Sequence, residues 1–178
     1  NLILFTKSIH NIRQERRKKM PTKQGNLSLL SDPIAQNLLQ STNIARLAYV
    51  WRDGTPRVIP IWFHWNGQEI VIGTPPTSPK VQVLQQNPKV ALTIDGQTWP
   101  YKVLLIRGTA QVEIVNGVVP EYAASANRYF GEEQGQAWTG QVGGMFSQMA
   151  RIVIQPEWVG IMDFEQRFPS AIEEAMAG

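Results

Sequence analysis

The residues best suited to binding chemistry lie in one short polar segment, residues 74–88. Ser78 is placed to cap a helix and Pro79 to begin it, and the next Asn-Pro pair ends it after about two and a half turns. Lys80 then lies in the first turn, where the helix dipole slightly disfavours a cation. A bound phosphate would explain this placement, because the helix N-terminus, the hydroxyls of Thr74 and Ser78 and the Lys80 ammonium would converge on it. Taken alone, the segment favours the simpler alternative of a solvated lysine beside capping hydroxyls.

A second unusual segment is the aromatic strand predicted over residues 57–65. Alternating residues of a strand point to opposite faces, and both faces of this one are largely apolar. Pro60 cannot donate to a ladder, so the strand must lie at an edge or carry an irregularity there. Backbone groups left free in this way suit a planar polar ligand such as a flavin ring. The alternative is an edge strand packed against a second subunit, and the two hypotheses are compatible.

The cysteine and histidine counts exclude several other chemistries. The chain has no cysteine and two histidines, His10 and His64. Thiolate zinc sites, iron–sulfur clusters, cysteine nucleophiles and disulfides are therefore excluded, and a reducing cytoplasm is the simplest compartment. A two-histidine metal site or a Ser-His-Asp triad is also disfavoured, because His10 lies in a basic tail and His64 alternates with aromatic residues.

An antiparallel arrangement of strands must position these residues. Asp-Gly and Asn-Gly pairs supply the positive φ of tight hairpin turns, and here they lie between β-branched and aromatic runs. The pattern predicts a mainly β meander that closes, or nearly closes, into a barrel. Its strands are predicted at 46–52, 57–65, 69–73, 89–94, 102–106, 109–115, 151–155 and 158–164.

Short helices are predicted between the strands. Ser31-Asp32-Pro33 predicts a capped helix over 33–40, and Pro120 and Gly131 predict the start and the end of a helix over 121–130. Residues 134–144 are rich in glycine and glutamine and predict a loop or a frayed helix. Residues 170–176 predict a terminal helical turn or two.

Length and charge predict one soluble domain preceded by a basic tail. The chain has 178 residues, 43% of them hydrophobic, enough for a core that buries about 70% of the unfolded surface. No apolar run approaches the roughly 20 residues of a membrane span. Residues 1–23 carry a net charge of +6 and the remaining residues a net charge of −3, so we predict a disordered basic extension over 1–23 and one domain over 24–178. Nucleic-acid binding is disfavoured, since it needs cations on a folded face.

Several of these segments together resemble the pyridoxamine 5′-phosphate oxidase-like family of flavin-binding split barrels. The resemblance spans about residues 44–115, and it depends on the order and spacing of the segments more than on any one of them. They are Asp53-Gly54-Thr55-Pro56-Arg57, the run from Ile61 to Gly67, Thr74 with Ser78 and Lys80, the run from Asn87 to Leu92, and Arg107-Gly108-Thr109-Ala110.

The resemblance implies a fold, an assembly and a cofactor. The fold is an antiparallel six-stranded split barrel with short flanking helices, and two copies hold FMN at their interface. The strand backbone would meet the isoalloxazine, the polar segment would hold the phosphate, and two aromatic residues would reach the flavin from the partner subunit. The implied ring-binding residues are Arg57, Val58, Ile59, Pro60 and Ile61. The implied phosphate-binding residues are Thr74, Ser78 and Lys80, and the aromatic residues from the partner are Trp99 and Tyr101.

Departures from the family pattern limit the activity that can be expected. Pro79 stands where a basic residue precedes the phosphate lysine, an apolar residue stands where the flavin-facing strand ends in a cation, and the basic C-terminal motif for the vitamin substrate is missing. Vitamin oxidation is therefore disfavoured. The resulting hypothesis is an FMN-dependent oxidoreductase of an unidentified small molecule that stacks near Trp62, Trp99 and Tyr101, with no catalytic residue assigned.

Alternatives remain open at this stage. The cofactor could be a deazaflavin, which shares the rings and the phosphate, or the protein could be a non-catalytic flavin carrier or sensor. Trp62 could belong to the core, and the Trp99-Pro100-Tyr101 segment could be a hydrophobic dimer contact.

Overall fold

A computed structural model describes residues 23–165, together with Ile172 and Ala175. Within these residues, a 3₁₀ helix (Leu27–Ser31) precedes four α-helices and seven strands. The helices are α1 (Pro33–Gln40), α2 (Pro79–Gln86), α3 (Pro120–Phe130) and α4 (Glu132–Met145). The strands are β1 (Ala45–Val50), β2 (Pro56–Ile61), β3 (His64–Trp65), β4 (Ile70–Thr74), β5 (Lys89–Asp95), β6 (Lys102–Asn116) and β7 (Gln148–Asp163).

Two of the glycine turns form the hairpins that the sequence predicts. Gly54 has a φ of +81° in the turn between β1 and β2, and Gly67 has a φ of +100° in the turn between β3 and β4. Both strand pairs are antiparallel. Local turn chemistry therefore sets the register of both hairpins.

All seven strands belong to one antiparallel sheet, in the order β2-β1-β5-β6-β7-β4-β3. Its two outermost strands, β2 and β3, are separated in sequence by only Trp62 and Phe63. The sheet must therefore curl back on itself to bring its edges together. Pro60 lies in an edge strand, as predicted. The seven strands replace the six that the family resemblance implied, because the strand expected over 57–65 is divided at this corner, and barrel closure stays a prediction.

Two long strands replace four shorter predicted ones. The segments 102–106 and 109–115 form the continuous β6, and 151–155 and 158–164 belong mainly to β7. Glycine and proline at these positions predicted strand ends. The pairing of β6 with β7 instead continues through Gly108 and Pro156, with an irregularity between Arg107 and Gly108. A Cβ on Gly108 would lie 2.1 Å from the Gln155 carbonyl oxygen, so the two strands approach too closely there for a larger residue.

The glycine-rich segment 134–144 is helical and forms most of α4, so the loop prediction is wrong and only its frayed-helix alternative was close. Buried Val142 packs with Val119 and Met149 in a small second core. Tertiary packing therefore compensates for the low helix propensity of glycine. The predicted terminal helix over 170–176 lies outside the described residues except for Ile172 and Ala175, which are helical.

The main hydrophobic core lies between the sheet and the helices α1 and α2, and it includes Leu39 and Leu84 from those helices. The predicted extension over 1–23 lies outside the described residues except for Lys23. Among the described residues, no helix combines the length and the apolar character needed to cross a membrane.

Candidate functional site

A cleft of about 450 Å³ lies between the β2 edge, the end of β4 and the start of α2, with α3 and α4 beside it. It brings together five of the predicted cofactor-binding residues: Ile59, Pro60, Ile61, Thr74 and Lys80. The other lining residues are Ile44, Trp62, Gly73, Pro75, Tyr122 and Trp138. Residues distant in sequence thus form one site with a polar end and apolar walls.

Lys80 supplies the cation at the polar end. Its side chain is half-buried, and no hydrogen bond or ion pair joins its ammonium to another residue in the described part of the chain. Burial lowers the pKa of this ammonium below its ordinary value. A buried cation without a counterion is unfavourable unless a ligand neutralises it.

The hydroxyls beside Lys80 are arranged differently from simple helix caps. Ser78 stands at the N-cap of α2, as predicted, but its side chain makes no capping hydrogen bond. Its Oγ lies 3.0 Å from Oγ1 of the buried Thr74. In the first turn of α2, Pro79 has no N–H and the Val81 N–H donates to the Ser78 carbonyl oxygen at 2.9 Å. The Lys80 N–H therefore remains for a ligand, beside two hydroxyls and an ammonium, which is a suitable environment for an anion.

Arg57 and Val58 lie outside the cleft lining. Both are exposed, and the Arg57 guanidinium lies 5.2 Å from the centroid of the Trp51 ring. Of the predicted ring-binding strand, only its second half, Ile59 to Ile61, therefore contributes to the cleft of one chain.

The two aromatic residues expected from a partner subunit lie at the turn between β5 and β6. Trp99 is 67% exposed and packs edge-to-face on Tyr101, with ring centroids 5.5 Å apart. Both rings also contact Phe164, and neither lines the cleft. Their contact with a flavin across a dimer stays a prediction.

An aromatic cluster lines the cleft from the side of α3 and α4. Trp62 stacks on Tyr129, with ring centroids 5.1 Å apart and planes 17° from parallel, and it also contacts Tyr122 and Phe130. The Trp138 Nε1 donates a hydrogen bond of 2.8 Å to the Tyr122 hydroxyl. Trp62 is therefore both packed against a helix and part of the cleft wall.

Sequence reasoning missed the contributions of Tyr122 and Trp138. A usable signal existed for α3, because Tyr122 and Tyr129 are seven residues apart and so lie on one helix face. Trp138 lies in the segment predicted as a loop or a frayed helix, and no feature of the neighbouring sequence indicated that its side chain would face the cleft.

Close packing between β4 and α3 depends on Gly73. A Cβ at Gly73 would lie 2.6 Å from the Tyr122 Cβ. Real Cβ atoms do not approach so closely, so any larger residue would displace the helix that carries Tyr122.

A polar network anchors the beginning of α3. The Arg151 guanidinium bonds Glu113 at 2.9 Å and Glu121 at 3.1 Å through its Nε. The hydrogen bond from Arg151 lowers the pKa of the Glu121 carboxyl. Burial, and then the nearby Arg128 cation, lower the pKa of His64, and the Glu121 carboxylate opposes this shift.

The described residues contain no cluster of three or more His, Asp or Glu side chains placed to hold a metal ion. The cleft instead combines apolar and aromatic walls with one cation at an end. That arrangement suits a flat ring system that carries an anionic tail.

A family comparison decides the relationship of this chain to known proteins. The family model described as pyridoxamine 5′-phosphate oxidase matches residues 32–163. The chain belongs to this family. The resemblance inferred from the sequence is therefore confirmed, and the matched region contains the whole cleft.

Solved structures show the same fold at low sequence identity. A structure titled F420 reductase is 24% identical to this chain, with a TM-score of 0.53, and the match covers 70% of this chain and 94% of the chain in that structure. A conserved hypothetical protein from Mycobacterium tuberculosis is 20% identical, with a TM-score of 0.61, covering 84% and 92%. A protein from Clostridium acetobutylicum related to general stress protein 26 is 17% identical, with a TM-score of 0.53, covering 78% and 90%. No curated protein matches the chain significantly.

Proposed function

We propose that this member of the family is a flavin-dependent oxidoreductase that binds FMN in the cleft and acts on a small molecule. The observation that carries the proposal is the half-buried Lys80, which has no counterion in the described part of the chain and lines a cleft whose other walls are mostly apolar. Family membership supports a flavin-type ligand for such a cleft.

The residues present fit the phosphate and the ring of this cofactor. Lys80, the hydroxyls of Thr74 and Ser78 and the N-terminus of α2 would hold the phosphate, and a bound anion would offset the unfavourable burial of the ammonium. The β2 edge around Pro60 would lie along the ring. A bound flavin supplies hydride and electron transfer.

The chain itself would orient the reactants and exclude water. Trp62, Tyr122 and Trp138 form an aromatic wall of the cleft, and a substrate between this wall and the cofactor would be held away from bulk solvent. His64 does not line the cleft, so it is not assigned as a proton donor.

A deazaflavin cofactor is the second candidate, because it shares the rings and the phosphate of FMN. A structure titled F420 reductase has the same fold as this chain, which supports keeping this candidate. Lys80 is the one Lys or Arg that lines the cleft among the described residues, and it would hold the phosphate of either cofactor.

The cofactor and the activity can be tested together. We expect the purified protein to bind FMN more tightly than riboflavin. The visible absorption spectrum of the purified protein, freed of unbound cofactor after incubation with FMN or F420, distinguishes the two candidates. Turnover with reduced nicotinamide or a chemical reductant separates an enzyme from a flavin carrier or sensor. Failure to bind either cofactor at micromolar concentrations would contradict the proposal.

We also propose that two copies of the chain form a homodimer. A second cleft of about 450 Å³ lies on the sheet around Tyr49, Val90 and Arg107, and nearby Val58 is 64% exposed. Apolar surface of this kind supports an interface with a second copy.

Sedimentation tests the dimer. We expect the wild-type protein to sediment as a dimer and Val58→Glu to shift it toward monomer, because a charge would be buried without a partner. Ile114→Glu is the matched control, since Ile114 is 45% exposed but pairs with Ala150, which does not line the second cleft, whereas Val58 pairs with Ala48, which does. A stable wild-type monomer at micromolar concentration would contradict the dimer and a cofactor site shared between subunits.

A further inference from the structure

The wall of the cleft turns a sharp corner at Trp62 and Phe63, between the two edges of the sheet. Trp62 lines the cleft, whereas Phe63 points into the core and is fully buried. These two residues belong to neither strand, so no ladder fixes their backbone. Their position must therefore depend on contacts from outside the sheet.

Arg128, in the last turn of α3, makes the contacts that hold this corner. Its Nη2 donates to the Phe63 carbonyl oxygen, and its Nη1 donates to the Leu39 carbonyl oxygen at 3.1 Å. The guanidinium carbon lies 4.5 Å from the centroid of the Phe63 ring. One side chain thus joins the corner, the end of α1 and the end of α3.

No carboxylate pairs with Arg128 within the described residues. Helix C-termini carry partial negative charge, and this guanidinium stands at the ends of both α1 and α3. Its Nε is buried and has no hydrogen-bond partner among the described residues. A cation with fixed donors and no ion pair is suited to hold backbone carbonyls in place.

Tyr129, the next residue of α3, links these backbone contacts of Arg128 to the aromatic wall. Its hydroxyl donates to the Asn43 carbonyl oxygen at 3.1 Å and accepts from Arg128 at 3.3 Å. Its ring stacks on Trp62, the residue that forms the wall. The peptide carbonyl of Phe63 and the side chain of Trp62 are therefore both held from consecutive residues of α3.

We infer that Arg128 is a positioning residue. By holding the Trp62–Phe63 corner, it fixes the position of Trp62 in the aromatic wall of the cleft. The inference rests on the proposed function for its effect on ligand binding, but its effect on the corner itself does not depend on any ligand. Arg128 does not line the cleft, so it acts through Phe63 and Trp62.

Hydrogen exchange tests the effect on the corner without a ligand. In Arg128→Met we expect the amides of residues 61–65 to exchange at least about 10-fold faster, because charge-assisted hydrogen bonds to the corner are lost, while amides in β6 and β7 keep their wild-type rates. Arg128→Lys should give an intermediate rate, since an ammonium lacks the planar fork. Equal acceleration throughout the sheet, or no acceleration at the corner, would overturn the inference.

Ligand binding provides the second readout. We expect Arg128→Met to raise the Kd of FMN and of riboflavin by the same factor, about 10-fold, because the wall contacts the ring that both share. A merely destabilised protein would instead bind fewer equivalents with unchanged Kd. A loss confined to FMN, or unchanged Kd for both ligands, would overturn the inference.

Tyr129→Phe keeps the test decisive if Arg128→Met does not fold. This variant retains the stack on Trp62 but loses the hydroxyl that accepts from Arg128 and donates to the Asn43 carbonyl oxygen. We expect smaller changes in the same direction, and uniform or absent changes would overturn the inference. If the wild-type protein binds no flavin while the corner amides respond as expected, the proposed function fails and the positioning role stands.

Discussion

Replacing Lys80 with alanine is expected to raise the Kd for FMN by roughly 10- to 150-fold and to leave the Kd for riboflavin almost unchanged. A charge-assisted hydrogen bond to the phosphate contributes roughly 1.5–3 kcal/mol to the binding of FMN. Riboflavin has no phosphate and does not form this bond, so the substitution should not weaken its binding. Titration of both ligands against both proteins by flavin fluorescence measures the difference. Lys80→Arg should recover part of the affinity, because its longer planar fork aims its donors differently.

Removing the Lys80 charge should weaken FMN binding but should not destabilise the ligand-free protein. Burial lowers the pKa of the Lys80 ammonium, so the charged form is less favourable in the folded state than in the unfolded state, where water solvates it freely. Lys80→Met should therefore unfold at the same or a higher temperature at pH 7. The cost is full while the lysine is protonated in both states and disappears as the pH rises through the lowered folded pKa toward 10.5, so the advantage of Lys80→Met should shrink over that range.

Two results would contradict the assignment of Lys80. Equal losses of FMN and riboflavin affinity in Lys80→Ala would mean that the side chain supports the start of α2 rather than the phosphate. Unchanged affinity for both ligands would mean that Lys80 is a solvated lysine after all.

Replacing Gly73 with alanine is expected to lower the free energy of unfolding by about 1–3 kcal/mol, the usual cost of overpacking. The new Cβ would meet the Tyr122 Cβ at 2.6 Å, and an atom so close to the backbone cannot rotate away. The beginning of α3 would have to move, taking the cleft-lining Tyr122 with it. We therefore also expect weaker binding of FMN and riboflavin alike, measured by titration beside chemical denaturation.

Gly140→Ala is the matched control for Gly73→Ala. Gly140 lies inside α4, and a Cβ there would meet nothing within 4 Å. Alanine should stabilise that helix by up to about 1 kcal/mol, through propensity alone. If both substitutions changed the stability in the same direction and by similar amounts, close packing against Tyr122 would not be the reason for glycine at position 73.

The sequence by itself determined the features that depend on neighbouring residues. Glycine at Gly54 and Gly67 set two hairpins, and the Ser78-Pro79 pair set the start of α2 with Lys80 in its first turn. These signals are readable because a turn or a helix end is selected by the φ, ψ preferences of a few consecutive residues. Pro60 likewise predicted an edge strand or an irregularity in the ladder, because proline has no N–H to donate, and the structure shows the edge strand.

The tertiary structure decided which of these features meet. Curling of the sheet brings the β2 edge to Lys80, and burial without a counterion then changes the lysine from a surface residue into a candidate ligand-binding group. Glycines that weaken α4 in isolation are compensated by the packing of Val142, which also places Trp138 beside Tyr122. Arg128 reaches Phe63 only because α3 crosses the corner between β2 and β3. Contacts of this kind depend on segments far apart in the chain, whose approach is set by the burial of apolar surface and leaves no local signal.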